Sequence, residues 1–87
     1  YMEACDDYVK VHTAQGYYMK KKTLSYYESV LDPSLFLRVH RSYILNLSEL
    51  TRIEAFDKEN HLALLRTGAR IPLSRSGYQK LKEVLGA

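Results

Sequence analysis

Residues 36–47, Phe-Leu-Arg-Val-His-Arg-Ser-Tyr-Ile-Leu-Asn-Leu, restrict the fold of this chain more than any other stretch. Phe36, Val39, Tyr43, Ile44, Leu45 and Leu47 are spaced for an extended, buried segment, yet they bracket a polar knot of Arg38, His40, Arg41 and Ser42. Two guanidinium groups, an imidazole and a hydroxyl cannot be desolvated without partners except at a cost of several kcal/mol. The segment must therefore bring its knot to a surface. The donors gathered there suit an anion.

The rest of the chain reads mostly as strands. Val9, Val11 and Thr13 alternate with Lys10 and His12, the period of a strand with one wet face. Ala14-Gln15-Gly16 supplies a turn and Tyr17-Tyr18-Met19 a return strand. Thr23 can cap a helix with Leu24, Tyr27, Val30 and Leu31 on one face, and Asp32-Pro33 ends it. Extended segments follow at Leu50–Phe56, His61–Leu65 and Arg70–Leu73, separated by turns at Asp57–Asn60 and Thr67-Gly68. Pro72, which has no amide donor, places the third of these at a sheet edge or strand end. Ser74 can cap a last helix carrying Tyr78, Leu81, Val84 and Leu85 on one face. The pattern predicts a mainly β domain with two short helices, a β-dominated α+β fold, over residues 1–87.

Composition narrows the function. At 87 residues there is one domain, near the small end of what buries its own core. No apolar run approaches the roughly 20 residues of a membrane helix, and no signal-peptide core is present. The single Cys5 excludes an internal disulfide, fits a reducing cytosol and reads as a small buried residue. His12, His40 and His61 lack metal-ligand spacing, and the four glycines form no phosphate-binding loop, so no enzyme, metal or cofactor is expected. The net charge is only +3, but eleven of the thirteen basic residues lie in three acid-free blocks, 8–27, 33–48 and 60–82. Brought together by folding, these would form a face able to neutralise phosphates.

The run Arg38-Val-His-Arg-Ser-Tyr-Ile-Leu-Asn-Leu47 resembles the central signature of the LytTR DNA-binding domain, the output module of LytR/AlgR-type bacterial response regulators. The resemblance extends over nearly the whole chain. Glu3-Ala4 followed by Tyr8-Val9-Lys10-Val11 resembles the family's opening strand and loop, Lys22-Thr23-Leu24 to Leu31 its first helix, and Ile71-Pro-Leu-Ser-Arg-Ser76 its closing motif. One departure is visible: the opening loop often carries Gly-Asn, and here it reads Asp6-Asp7, two carboxylates beside a proposed DNA contact. The family implies packed β-sheets whose loops, not a recognition helix, enter DNA. It also implies a receiver domain upstream in the parent protein, a cytoplasmic location, and tandem direct repeats in double-stranded DNA bound by two copies. The isolated domain is expected to be a monomer.

The same resemblance assigns base contacts to Arg41, Arg75 and Tyr8. Chemistry agrees for the arginines: a forked donor suits guanine O6/N7 or a phosphate pair. Arg75 lies at a helix N-terminus, where a cation is disfavoured unless an anion or a guanine edge joins it. Tyr8 is either a core tyrosine or a base contact in the opening loop. Phosphate contacts are expected from Lys10, Lys20, Lys21, Lys22, Ser74, Ser76 and Lys80 as a class. His40 can hold the loop's shape as a neutral imidazole, the stronger role, or contact a phosphate. Two other readings stand beside duplex binding: an interaction module pairing through an exposed β edge, and an aromatic, basic surface for single-stranded nucleic acid.

Overall fold

The alternation of Val9 and Val11 with Lys10 and His12 turns one face of β2 (Tyr8–Thr13) toward a core and leaves Lys10 and His12 half-buried on the other. In the computed structural model, which describes residues 1–86, β2 belongs to a five-stranded antiparallel sheet. The sheet is completed by β1 (Met2–Cys5), β3 (Gly16–Lys20), β4 (Phe36–His40) and β5 (Tyr43–Asn46), in the order β3-β2-β1-β5-β4. A short 3-10 turn at Leu47–Glu49 leads into a second antiparallel sheet of β6 (Leu50–Ala55), β7 (His61–Leu65) and β8 (Arg70–Leu73). With two helices, α1 (Leu24–Val30) and α2 (Arg75–Val84), this is the β-dominated architecture expected from the residue pattern.

Each face of the large sheet buries a separate core. Met2, Val9, Leu24 and Ile44 are packed under α1, with Val11, Tyr27, Leu31 and Phe36 around them. Val39, Leu45, Ala63, Leu65, Ile71, Leu73 and Leu81 fill the space between β4 and β5, the second sheet and α2. Thr23 caps α1, its hydroxyl oxygen accepting from the Tyr26 amide at 3.0 Å. Pro72 lies in β8, an edge strand, as its missing donor requires.

Several apolar positions stay outside these cores. Val30 is exposed because α1 meets the sheet through Leu24, Tyr27 and Leu31. Val84 and Leu85 are exposed because α2 is buried only through Gly77 and Leu81 in its first two turns. Cys5, expected to be buried, is half-buried at the end of β1.

One irregularity orders the rest. The β4–β5 ladder pairs Arg38 with Ile44 and then His40 with Tyr43, so β4 carries one extra residue between them. In a regular strand residues i and i+2 share a face. Here the bulge reverses the second half of β4. Arg38 reaches α1, donating to Ser25 Oγ at 3.2 Å, while His40 joins the α2 side with its ring edge-on to Tyr43 at 5.6 Å.

Candidate nucleic-acid interface

Strand register decides which side chains share one end of the large sheet. Cys5 faces Tyr8 across the Asp6-Asp7 turn, Lys20 faces Val9, and Tyr43 faces Glu3 on one side and His40 on the other. The same end therefore carries Lys20–Lys22, Tyr8, Asp6-Asp7, Ser42, Arg41 and His40, from one edge to the other. Five strands spaced about 4.8 Å apart make this row roughly 19 Å wide. The Ala4 amide donates to the Ser42 carbonyl at 2.9 Å and ties the two turns together.

The start of α2 is attached to the same end through the bulge. The Val39 carbonyl accepts from both the amide and the hydroxyl of Ser74, at 2.9 and 3.2 Å. The Ser74 hydroxyl oxygen also accepts from the Gly77 amide at 2.9 Å, the N-cap contact expected of it. Gly77 permits this approach, since an added Cβ would lie 2.8 Å from the Val39 Cα and 2.5 Å from its carbonyl carbon. With the cap satisfied at Gly77, the Arg75 and Ser76 amides precede the first intrahelical bond, from Tyr78 N–H to the Ser74 carbonyl at 2.8 Å. Both side chains are exposed. A cleft of about 720 Å³ bordered by His40, Phe56, Pro72, Ser74, Arg75 and Tyr78 places His40 and Arg75 on one concave surface.

The sequence-derived candidates divide on this frame. Arg41 is exposed in the β4–β5 turn, Arg75 on the first turn of α2, and Lys20 ends β3 with Lys21 and Lys22 directly after it. Tyr8, expected in a loop, is the first residue of β2 and 42% exposed, because the turn before it consists only of Asp6 and Asp7. Asp6 takes φ 54°, the left-handed region that Gly fills freely and Asp tolerates. Lys10 lies inboard, opposite Glu3, with its ammonium 4.1 Å from the Tyr17 ring centroid. Lys80 projects from the second turn of α2 and is exposed. The Ser74 hydroxyl is engaged inside the fold, whereas Ser76 meets only Ser74 Oγ, at 3.3 Å.

His40 accepts a hydrogen bond at Nδ1 from the Ser42 amide at 3.1 Å, which puts the proton of the neutral ring on Nε2. Burial, and then the neighbouring Arg41 charge, push its pKa below the ordinary histidine value, so the neutral ring is favoured. Arg38 is not available to a ligand. It pairs with Glu28 Oε1 at 3.1 Å, bonds Ser25 Oγ, and donates to the Arg41 carbonyl at 2.7 Å.

Acid-free blocks in sequence are not acid-free in space. Besides Arg38, Arg70 pairs with Glu54 at 3.2 Å and Arg66 lies 4.0 Å from Glu49. Three of the eleven cations are thus neutralised by acids from outside their blocks. Sequence reasoning missed the role of Gly77, although a glycine inside a helical pattern costs helix stability and so signals a packing reason. It also missed the Val39 carbonyl, for which a sequence carries no signal. Among the described residues no cluster of three or more His, Cys, Asp or Glu is placed to hold a metal ion, and no helix is long and apolar enough to cross a membrane.

The chain is similar to known proteins in sequence and in fold. The family described as the LytTr DNA-binding domain matches residues 1–86. The chain is 32% identical over 85 residues to the sensory transduction protein LytT of Bacillus anthracis, a match covering 98% of this chain and 35% of that protein. It is 29% identical over 76 residues to the transcriptional regulatory protein LytR of Staphylococcus aureus (strain N315), covering 87% and 31%. The chain spans about a third of the length of these curated relatives. Among solved structures, the LytTr DNA-binding domain of a putative methyl-accepting/DNA response regulator from Bacillus cereus aligns with a TM-score of 0.88 at 28% identity. That alignment covers 99% of this chain and 79% of the other.

Proposed function

The chain belongs to the family of LytTr DNA-binding domains, and from that premise we propose that it is the sequence-specific, duplex-DNA-binding output domain of a bacterial two-component transcriptional regulator. Arg41 and Arg75 read base edges in the major groove, with Tyr8 assisting from the neighbouring turn. Lys20, Lys21 and Lys22, the Ser76 hydroxyl and the free amides of Arg75 and Ser76 hold phosphates on either side. Lys10, His40, Ser74 and Lys80 are outlying members of that set. The observation that carries the reading is the shared end of the sheet, where two exposed arginines, one in the β4–β5 turn and one on the first turn of α2, lie beside three consecutive lysines.

A single small module buries only about 600–1,000 Å² of protein on DNA, so one copy has modest specificity. Two copies on tandem direct repeats, one helical turn or about 34–36 Å apart, supply the rest. The longest dimension of the domain, 35 Å, lets two copies occupy one face of a duplex without overlap. The domain alone is a monomer, and an upstream receiver domain in the parent protein, itself cytoplasmic, supplies dimerisation. Partner binding along a β edge has one observation in its favour: β3 is an edge strand whose five residues are all exposed.

Fluorescence anisotropy on duplexes selected from a random pool tests the proposal. Arg41→Ala and Arg75→Ala should each weaken cognate binding by about 1–3 kcal/mol and relax preference at distinct base pairs, while Lys20→Ala weakens all duplexes by a smaller, uniform factor. Absence of binding to duplex, single-stranded DNA and RNA at low salt would reject nucleic-acid recognition and promote the β-edge reading. A stable dimer of the 87-residue chain without DNA, seen by sedimentation, would move the dimer interface into this domain.

A further inference from the structure

The peptide group between Arg41 and Ser42 is held from both ends. Its carbonyl accepts from an Arg38 terminal nitrogen at 2.7 Å, and its amide donates to His40 Nδ1 at 3.1 Å. The other terminal nitrogen of Arg38 reaches α1, bonding Ser25 Oγ at 3.2 Å and Glu28 Oε1 at 3.1 Å. One half-buried guanidinium therefore spans three elements: it arises from β4, is anchored on α1 and grips the turn. A bond from an ionised donor to a backbone carbonyl is roughly twice as strong as a neutral one, and the planar fork fixes both contacts at once. The Arg41 side chain leaves the backbone immediately before the gripped carbonyl. Fixing that plane removes one backbone rotation from the Arg41 guanidinium, an ordering that binding would otherwise have to supply.

We propose that Arg38 is a positioning residue for DNA readout: with His40 opposite, it locks the Arg41–Ser42 peptide plane and aims Arg41, without touching DNA itself. This rests on Arg41 being a base contact. It differs from the sequence-level view of Arg38 as one more donor in an anion-binding knot, and it assigns α1 a purpose beyond covering a core face.

Base-preference profiles and salt slopes separate the outcomes. Arg38→Gln should lower cognate affinity about five- to twentyfold and flatten preference only at the base pairs that Arg41→Ala flattens, leaving those of Arg75→Ala intact. Added to Arg41→Ala, it should cost less than about twofold more, because the side chain being aimed is already gone. Arg38→Lys, which keeps the charge but not the fork, should behave like Arg38→Gln, and the log–log salt slope should stay at the wild-type value in both. Glu28→Gln, which loosens the anchor while leaving the guanidinium in place, should produce the same pattern more weakly. It carries the test if the Arg38 variants fail a urea-denaturation check. Uniform weakening on all duplexes with a slope smaller by about one, rescued by Arg38→Lys, would make Arg38 a phosphate contact and overturn the proposal. If Arg41→Ala flattens a position and no Arg38 or Glu28 variant does, the aiming role fails while the base contact stands. If Arg41→Ala flattens nothing, the base contact fails and this inference falls with it.

Discussion

Gly77→Ala is the substitution in which helix propensity and tertiary packing disagree most. In an open helix the change stabilises by about 1 kcal/mol. Here the new Cβ would lie 2.5 Å from the Val39 carbonyl carbon and 2.8 Å from its Cα, backbone atoms that no rotamer can move aside. Carbon atoms pack best at about 3.5–4.0 Å, so α2 must retreat from β4 by roughly 1 Å. That stretches the two bonds from Ser74 to the Val39 carbonyl, at about 0.5–1.5 kcal/mol each. It also disturbs fully buried Leu81 one turn along, where forced overpacking costs about 1–3 kcal/mol. After subtracting the propensity gain, the net loss is about 1–5 kcal/mol. For a domain of this size that lowers Tm by about 4–40 °C. Thermal and urea unfolding against Gln79→Ala, an exposed position on the same helix, measure it, and anisotropy reports the displaced Arg75. A Gly77→Ala protein as stable as wild type would show that α2 does not meet β4 backbone to backbone.

Other consequences follow from the same geometry. Asp6→Asn keeps a residue tolerant of φ 54° and removes a carboxylate from the proposed DNA-binding end. Stability should change by less than about 0.5 kcal/mol while affinity rises about two- to fivefold at low salt and converges with wild type above about 0.5 M. Titration of the wild type should give a log–log salt slope of about −4 to −5, from four to six phosphate contacts, and a flat response would remove phosphates from the account. His40 has a lowered folded-state pKa, so as pH falls the unfolded chain takes the proton first. Its contribution is complete above about pH 6.5 and declines below it. Unfolding free energies at pH 8 and pH 5 should therefore differ less in His40→Gln than in wild type, and an unchanged difference would mean that other groups carry the pH dependence.

Most of the fold was legible because its elements announce themselves locally. Val9 and Val11 alternate at period two, Thr23 and Ser74 sit at helix starts with their hydroxyls in capping range, and Pro72 confines its strand to an edge. Arg41 and Arg75 were legible as donors placed where the chain must leave its core. What sequence could not supply was pairing at a distance. Arg38 and Arg41 look alike in the same run, yet one is bound to Glu28 and the other is exposed, and only the packing of α1 separates them. Arg66 and Arg70 lie in an acid-free block of sequence, yet Glu49 and Glu54 from outside it sit beside them. Val30, Val84 and Leu85 carry the right period, but periodicity does not say where a covering element ends.

The extra residue in β4 also bears on how such a chain can vary in length. Because the two halves of the strand face opposite layers, deleting Val39, the residue between Arg38 and His40, would swing His40 onto the α1 side and remove the carbonyl that holds Ser74. A one-residue gap in the Asp57–Asn60 turn or at Arg66–Gly68 would be absorbed by exposed backbone. Insertions and deletions among descendants of a common ancestor should therefore collect in those two turns and be absent from residues 36–43. Deletion scanning of this domain, scored by DNA binding, should reproduce the same map.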